Sequence, residues 1–97
     1  MKFESLIKSH PLVLVDYYAN WCGPCKALAP TLEQLKKEFG GKIKMVKIDT
    51  EKNHKLAASK GIRSIPALHF YKYGKLQWKQ AGAVPFNTLK QKIEPFI

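Results

Sequence analysis

The two cysteines of this 97-residue chain lie three positions apart, in the segment Trp21-Cys22-Gly23-Pro24-Cys25. Thiols at this spacing can form one small disulfide ring, and Gly and Pro between them favour a tight turn. A helix that begins at this turn offers the first cysteine unpaired backbone N–H groups and the positive end of the helix dipole. Because the thiolate is the reactive form of cysteine, this position makes Cys22 a candidate nucleophile for thiol–disulfide exchange.

Three other uses of the cysteine pair are less favoured. A structural disulfide that closes a two-residue loop constrains the unfolded chain very little. A metal site needs about four ligands, and His10, His54 and His69 supply no second pair at ligand spacing. Two inert buried cysteines would sit in an apolar run, whereas Gly and Pro place this pair at a loop. The pattern therefore favours a redox pair and predicts no metal site.

The composition indicates a single domain with a strongly basic surface. The net charge is +10, from 17 basic and 7 acidic residues, and such a field attracts acidic partners. The lysines are scattered over every segment of the chain. The sequence has neither an arginine cluster nor the alternation of basic and aromatic residues by which proteins recognise nucleic-acid bases, so we expect no nucleic-acid partner. No segment resembles a signal peptide, and no apolar run approaches the roughly 18 residues of a membrane span. We therefore expect a cytoplasmic location and no membrane association.

Apolar periodicity along the chain predicts alternating helices and strands. Leu12 to Tyr18 is almost continuously apolar, which is typical of a strand buried on both faces. In the helix after the cysteines, apolar residues recur at spacings of three and four, and Pro30 in its interior is expected to bend it. The predicted elements are helix 2–9, strand 12–18, helix 24–39, strand 42–49, helix 53–60, strands 67–73 and 76–81 flanking a Gly74-Lys75 turn, and a last helix carrying Phe86, Leu89, Ile93 and Phe96.

This order of elements predicts a mixed α/β sheet. The strand–helix–strand portion requires a right-handed crossover and parallel pairing, while the hairpin adds antiparallel strands. The cysteine pair follows the first strand directly, so it lies at the carboxyl end of that strand, where α/β folds place their chemistry.

The chain resembles the thioredoxin family over nearly all of its length. The segments that carry the resemblance are Val13-Leu14-Val15-Asp16-Tyr17-Tyr18-Ala19, Trp21-Cys22-Gly23-Pro24-Cys25-Lys26, Val46-Lys47-Ile48-Asp49, Gly61-Ile62-Arg63-Ser64-Ile65-Pro66, Gly74 and Gly82. The resemblance implies one thioredoxin domain over residues 1–97, with a central mixed sheet of about four strands flanked by helices on both faces. The family usually begins with an additional edge strand, and we expect this chain to start at the helix that follows it, which would leave strand 42–49 at a sheet edge. The chain also carries Tyr18 where the family usually has tryptophan.

The resemblance also assigns a role to each cysteine. Cys22, expected nearer to solvent, attacks the substrate disulfide, and Cys25, expected to be more shielded, resolves the mixed disulfide. An aspartate at position 16, among apolar neighbours, is desolvated, which raises its pKa and lets it accept a proton near neutrality. On pattern alone Asp16 could instead face water at the end of the strand. By the family match, Asp16 lies behind Cys25 and acts through a water, with Lys47 as its charge partner.

The substrate-binding surface is likewise implied by the resemblance. Pro66 is expected to follow a cis peptide bond and to pack against the cysteine pair, although without the family match we would expect an ordinary trans proline. The Ile65 backbone would pair with an extended substrate segment, a mode that needs little sequence specificity. The surrounding apolar platform would consist of Trp21, Gly23, Pro24, Ile62, Gly82 and Ala83.

Together these features predict a protein disulfide reductase that carries electrons through the Cys22–Cys25 pair. By analogy with the family, the Gly-Pro dipeptide favours reduction over oxidation, and a flavoprotein thioredoxin reductase would restore the dithiol. We expect a monomer with no cofactor besides the redox-active disulfide, acting on disulfide-containing proteins. The alternatives are a disulfide oxidase or isomerase, and a binding module whose fold serves a partner complex without thiol chemistry.

Overall fold

The computed structural model describes residues 2–97, which form all eight predicted elements. The predicted domain also includes Met1, which lies outside the described residues. Short 3-10 turns occupy Gly40–Lys42 and Glu94–Phe96, so the second strand begins at Lys44 rather than at Lys42. The elements are α1 (Phe3–Lys8), β1 (Leu12–Tyr18), α2 (Gly23–Phe39), β2 (Lys44–Asp49), α3 (His54–Ser59), β3 (Ala67–Lys72), β4 (Lys75–Ala81) and α4 (Phe86–Ile93).

The described strands form one mixed sheet in the order β2-β1-β3-β4. The β1–β2 pair is parallel, and the β1–β3 and β3–β4 pairs are antiparallel. This arrangement confirms the predicted α/β fold with a four-stranded mixed sheet, and it places β2 at a sheet edge as expected.

Strand β1 is central and alternates its side chains between two apolar layers. Leu12 and Leu14 belong to the cluster that includes residues of α2 and α4. Val13, Val15 and Tyr17 belong to the opposite cluster, which includes residues of α1. Because successive side chains of a strand point to opposite faces, Asp16 lies on the α2 side of the sheet. Burial on both faces explains why the strand is almost continuously apolar.

Helix α2 packs one apolar stripe against the sheet and carries the cysteine pair at its beginning. Its buried residues, Leu28, Leu32, Leu35 and Phe39, recur at the predicted spacing. The helix is continuous from Gly23 to Phe39 with Pro30 in its interior. The redox segment is therefore attached to a long element that is fixed by the core.

The β3–β4 turn differs by one residue from the prediction. Its two central residues are Tyr73 and Gly74, with φ angles of 49° and 78°. Two-residue hairpin turns of type I′ require a positive φ at both central positions, and glycine adopts it without strain. The turn shifts because Gly74 occupies the second of these positions, which leaves Lys75 as the first residue of β4.

Candidate active site

Cys22 and Cys25 form a disulfide at the beginning of α2, with their Cα atoms 5.3 Å apart. Cys22 is the N-cap residue, and the backbone N–H of Cys25 donates to its Sγ at 3.1 Å. The Lys26 N–H donates to the Cys22 carbonyl oxygen at 3.2 Å. The first backbone N–H groups of a helix have no hydrogen-bond partner within the helix, and a sulfur at the N-cap can accept from them. Such hydrogen bonds would stabilise a Cys22 thiolate after reduction.

The expectation that Cys22 is nearer to solvent than Cys25 is wrong for this disulfide form. Cys22 is only 3% exposed, whereas Cys25 is partly exposed. The reason is a neighbouring loop, because the carbonyl oxygen of Ile65 lies 3.8 Å from the Cys22 Sγ. The N-cap position of Cys22, and not its exposure, therefore favours it as the attacking sulfur.

The Ile65–Pro66 loop brings distant parts of the chain to the disulfide. The Ile65–Pro66 peptide bond is cis. The carbonyl oxygen of Pro66 accepts a hydrogen bond from the Gly82 N–H at 2.8 Å, which ties the end of β4 to the loop. Exposed Ala83 follows Gly82 directly. Residues near 22, 65 and 82 are thereby assembled around one disulfide.

An open groove borders the disulfide on the α3 side. It has a volume of about 320 Å³ and includes Trp21, Ile62 and Ile65 among its lining residues. The Trp21 side chain is 69% exposed, and its Nε1–H donates to Glu51 Oε1 at 2.6 Å. Glu51 was missed by sequence reasoning, because a contact across thirty residues of chain leaves no local pattern. Gly23 and Pro24 are exposed at the beginning of α2, beside Trp21 in the chain.

Asp16 is buried, at 7% exposure, on the α2 side of the sheet. Burial raises the pKa of its carboxyl from 3.8 to about 6, and the charge of Lys47 opposes this increase. Within residues 2–97, no side chain or backbone group donates a hydrogen bond to its Oδ1. Buried Asp49 differs, because its Oδ1 accepts from the backbone N–H groups of Glu51 and Lys52. Asp49 thus stabilises a turn, whereas the Asp16 carboxyl is available for proton transfer.

A cavity of about 140 Å³ is lined by both Asp16 and Cys25. We call this space the front cavity; it is lined by Asp16, Tyr18, Ala19, Asn20, Cys25, Lys26, Ala29 and Lys47. The Lys47 Nζ lies 4.7 Å from the centroid of the Tyr18 ring. Cation–π attraction of this kind holds an ammonium group in place at the wall of the cavity. The cavity is large enough for water to link the Asp16 carboxyl to Cys25.

Neither a cluster of metal ligands nor a membrane-spanning helix occurs in the described part of the chain. Residues 2–97 contain no group of three or more His, Cys, Asp or Glu side chains that could hold a metal ion. No helix in the same range is long and apolar enough to cross a membrane.

The relatives described below are thioredoxins. The thioredoxin family profile matches residues 1–95. The chloroplastic M-type thioredoxin of Pisum sativum is 46% identical over 94 residues, which cover 97% of this chain and 55% of the pea protein. Thioredoxin 1 of Nostoc sp. is 43% identical over 97% of this chain and 88% of its own length.

A solved structure shows the same fold. Mitochondrial thioredoxin 3 of Saccharomyces cerevisiae, in its oxidised form, superposes with a TM-score of 0.89 at 32% sequence identity. The superposition covers 98% of this chain and 88% of the yeast chain. The matches in sequence and fold thus span nearly the whole chain, including the cysteine pair at the beginning of α2. The chain belongs to the thioredoxin family and is a thiol–disulfide oxidoreductase.

Proposed function

We propose that this protein reduces disulfides in substrate proteins, with Cys22 as the attacking thiolate and Cys25 as the resolving thiol. The observation that carries the proposal is the position of the pair. Cys22 caps α2, while Cys25 borders the cavity that contains the buried Asp16 carboxyl. The two sulfurs therefore have different surroundings. The N-cap position of Cys22 suits attack on the substrate, and the position of Cys25 beside a buried carboxyl suits loss of its proton before it resolves the mixed disulfide.

The first step forms a mixed disulfide. The Cys22 thiolate attacks one sulfur of the substrate disulfide, a new S–S bond forms, and the other substrate sulfur leaves as a thiolate that takes a proton from solvent. Stabilisation of the Cys22 thiolate by the Cys25 N–H, which lies 3.1 Å from the sulfur in the oxidised form, supports this assignment.

The second step releases the substrate. The Asp16 carboxylate accepts the proton of the Cys25 thiol through the front cavity, and the Cys25 thiolate then attacks Cys22 Sγ. The mixed disulfide breaks, the second substrate sulfur leaves as a thiolate, and the Cys22–Cys25 disulfide forms. Two electrons pass from the dithiol to the substrate. A pKa of about 6 suits Asp16 to this task, because the carboxyl is then mostly ionised near neutrality but still able to hold a proton.

The surface around Cys22 suits an extended substrate segment. Ile65 would pair through its backbone with the segment, and Pro66 would pack beside it. Trp21, Gly23, Pro24, Ile62, Gly82 and Ala83 would supply the apolar platform. The net charge of +10 favours substrates with acidic surfaces.

We further propose a flavoprotein thioredoxin reductase as the electron donor, a monomeric state and a cytoplasmic location. No cofactor is required besides the disulfide itself, because the dithiol supplies both electrons. Lys47 acts in this scheme as the charge partner that favours ionised Asp16, in agreement with its effect on the pKa of Asp16.

An insulin disulfide reduction assay tests this function, with dithiothreitol as reductant in one arm and NADPH plus a thioredoxin reductase in the other. We expect turnover in both arms, and none with Cys22→Ser as the control. Failure of the wild-type protein to reduce insulin in both arms would refute the proposed disulfide reductase function. A measured redox potential at the oxidising end of the range for such pairs would favour an oxidase or isomerase instead.

A further inference from the structure

A cavity on the face of the sheet opposite α2 lies outside the active site. It has a volume of about 370 Å³ and is lined by residues of α1, β3 and β4 and by the end of α3. We call it the histidine cavity. Its polar lining residues are Glu4, Ser59, Lys60, His69, Tyr71 and Lys79. None of the residues assigned above to the disulfide or to the substrate platform lines this cavity, so the proposed function leaves it without a role.

His69 is a deeply buried polar residue in the wall of this cavity, at 4% exposure. Nδ1 of its ring is enclosed and has no hydrogen-bond partner within residues 2–97. The hydroxyl group of Tyr17 is also enclosed and without a partner in this part of the chain, and the two ring centroids lie 5.1 Å apart. Buried polar groups are normally hydrogen-bonded, and an exception indicates a functional role or a bound water or ion. The His69 ring therefore has a capacity for a ligand that the protein itself does not use.

Two lysines bring positive charge to the same cavity. Burial is the main cause of the low pKa of His69, about 4, and the charges of Lys79 and Lys60 lower it further, so both ammonium groups act on the ring. Lys79 forms no salt bridge with a carboxylate within residues 2–97. The Lys60 Nζ lies 3.6 Å from Glu4 Oε1, and the Glu4 side chain is 67% exposed. The cavity thus has two cations and one carboxylate, and that carboxylate can turn toward solvent.

We propose that the histidine cavity binds a tetrahedral dianion, either inorganic phosphate or the phosphate group of a small monoester. The anion would lie between the ammonium groups of Lys60 and Lys79 and accept a hydrogen bond from the His69 ring. Hydrogen bonds from charged donors to phosphate oxygens are about twice as strong as neutral ones. A volume of about 370 Å³ falls within the roughly 300 to 1,000 Å³ of small-molecule sites, which leaves space for the rest of a monoester. This site does not depend on the proposed disulfide reductase function.

Other classes of ligand fit the cavity less well. A metal cation would be repelled by Lys60 and Lys79, and residues 2–97 contain no group of three or more His, Cys, Asp or Glu side chains that could hold a metal ion. An apolar ligand would remove the charged groups of the lining from water without pairing them. A dianion suits two ammonium groups better than a single carboxylate does, because it can pair with Lys79 and also replace Glu4 at Lys60.

Binding of the anion should be accompanied by uptake of a proton at His69. The charged and titratable groups around this ring are Glu4 from α1, Lys60 from the end of α3, Lys79 from β4, Tyr71 from β3 and Tyr17 from β1. A bound dianion offsets the two lysine charges that lower the pKa of His69, and it attracts the imidazolium directly. The pKa of His69 therefore rises on binding. By linkage, the anion binds more tightly as the pH falls toward that pKa.

Titration of the intact protein with sulfate, followed by NMR, tests this site. Sulfate stays dianionic over the pH range of the measurement, whereas phosphate gains a proton. With the ionic strength held constant by sodium chloride, we expect saturable shifts of the His69 ring signals and an increase in the His69 pKa of about one unit at saturation. The exposed His54 is the internal control, and its pKa should change much less.

Inorganic phosphate and phenyl phosphate are the probes for the source of the anion. Tighter binding of phenyl phosphate than of inorganic phosphate would identify a monoester as the ligand class. Equal or weaker binding of phenyl phosphate would assign the site to the free anion.

A pair of lysine variants distinguishes the cavity from the general positive field of the protein. Lys79→Met removes one of the two ammonium groups of the site. Lys75→Met is the matched control, because Lys75 is exposed on the same strand and is not among the described residues that line the cavity. By calorimetry at pH 6, we expect Lys79→Met to weaken sulfate binding by roughly five-fold or more and Lys75→Met to weaken it by less than about two-fold.

A pair of glutamate variants tests the competition for Lys60. Glu4→Gln removes the carboxylate that lies 3.6 Å from the Lys60 Nζ, and we expect it to tighten sulfate binding several-fold. Glu38→Gln is the matched control, because Glu38 Oε2 also lies 3.6 Å from an ammonium group, that of Lys90, but outside the cavity. The control variant should bind sulfate as the wild type does.

Two kinds of result would overturn the proposed anion site. One is the absence of saturable sulfate binding, or equal pKa changes at His69 and His54. The other is equal weakening by Lys79→Met and Lys75→Met, which would mean that sulfate responds only to the net charge of +10. Insulin reduction by Lys79→Met should match that of the wild type, so failure of the anion site and failure of the reductase are separate results.

Discussion

Asp16 and His69 are buried ionisable residues on opposite faces of the same sheet. They lie on neighbouring strands, where Asp16 pairs with Leu68 and His69 pairs with Val15. Asp16 is 7% exposed and His69 is 4% exposed. Burial is the main cause of both pKa shifts, raising that of Asp16 to about 6 and lowering that of His69 to about 4. Both shifts favour the neutral form, as desolvation requires.

The surroundings of the two residues differ more than their burial. Asp16 borders Cys25 and Lys47 across the front cavity. The His69 ring packs against the ring of Tyr17, with centroids 5.1 Å apart and planes at 66°. Lys79 and Lys60 lower the pKa of His69 further. Burial alone therefore shifts the pKa of both residues. Of the two, only Asp16 shares a cavity with a redox-active cysteine, Cys25, and has a pKa near neutrality.

The largest expected difference between the two residues is in catalysis. Asp16→Asn should slow release of the mixed disulfide by roughly 10- to 100-fold, and slow its formation much less, because a general base acts only on the Cys25 thiol. His69→Leu should leave both steps unchanged. Stopped-flow measurement of the two steps with a peptide disulfide checks this. An equal slowing of formation and release by Asp16→Asn would contradict the base assignment.

The next difference concerns stability in acid. The pKa of His69 is about 4 in the folded protein, below its ordinary value of 6.5, so the unfolded chain binds the proton more readily. Stability is therefore lost as the pH falls below 6.5, by about 3 kcal/mol at pH 4. We expect His69→Leu to abolish this loss. The free energy of unfolding of the variant, relative to that of the wild type, should therefore increase as the pH is lowered from 7 to 4. Urea titrations at several pH values measure the difference, and a constant difference would contradict the assignment.

Asp16 should show the opposite pH dependence, with a somewhat smaller amplitude. Its folded pKa of about 6 lies above the ordinary value of 3.8, so the folded protein binds the proton more tightly than the unfolded chain does. Stability is lost as the pH rises through this interval, by about 2 to 3 kcal/mol at pH 7. We expect Asp16→Asn to be more stable than the wild type at pH 7, with the gain disappearing below about pH 4. A gain in stability of Asp16→Asn that persists at pH 3.5 would mean that the substitution acts through side-chain packing and not through removal of the buried charge.

The smallest expected effect comes from the charge partner of Asp16. Lys47 lowers the pKa of Asp16, so Lys47→Met should raise that pKa, by less than about one unit because the lysine is exposed. Lys44→Met on the same strand is the control, because Lys44 instead donates to the Ser9 hydroxyl at 2.9 Å. Carboxyl NMR titration of both variants checks the assignment. Equal shifts in the two variants would mean that the general field of the lysines acts on Asp16, and not Lys47 in particular.

Much of this molecule could be predicted from its sequence, because the relevant patterns are local. Apolar periodicity located the helices and strands, and the almost continuously apolar run from Leu12 to Tyr18 indicated a strand covered on both faces. The spacing of the cysteines and the identity of the two residues between them were enough to indicate redox chemistry. The direction of the pKa shift at Asp16 also followed from its apolar neighbours.

The features that sequence reasoning missed depend on contacts between distant segments. The Ile65 carbonyl covers Cys22 from a loop that is 43 residues away along the chain, which reversed the expected exposure of the two cysteines. The bond from Trp21 to Glu51 joins a turn to the end of β2. No local pattern encodes the distance between two packed elements.

In our assignment Cys22 attacks the substrate disulfide and Cys25 resolves the mixed disulfide, although Cys25 is the more exposed of the two cysteines in the disulfide form. Trapping with single-cysteine variants tests it most directly. Reduced Cys25→Ser and Cys22→Ser proteins are each mixed with a peptide disulfide at neutral pH, and the adducts are located by mass spectrometry. We predict a rapidly formed, stable adduct at Cys22 in the Cys25→Ser protein and little adduct in the Cys22→Ser protein. Rapid trapping at Cys25 with slow trapping at Cys22 would contradict this assignment of the two cysteines.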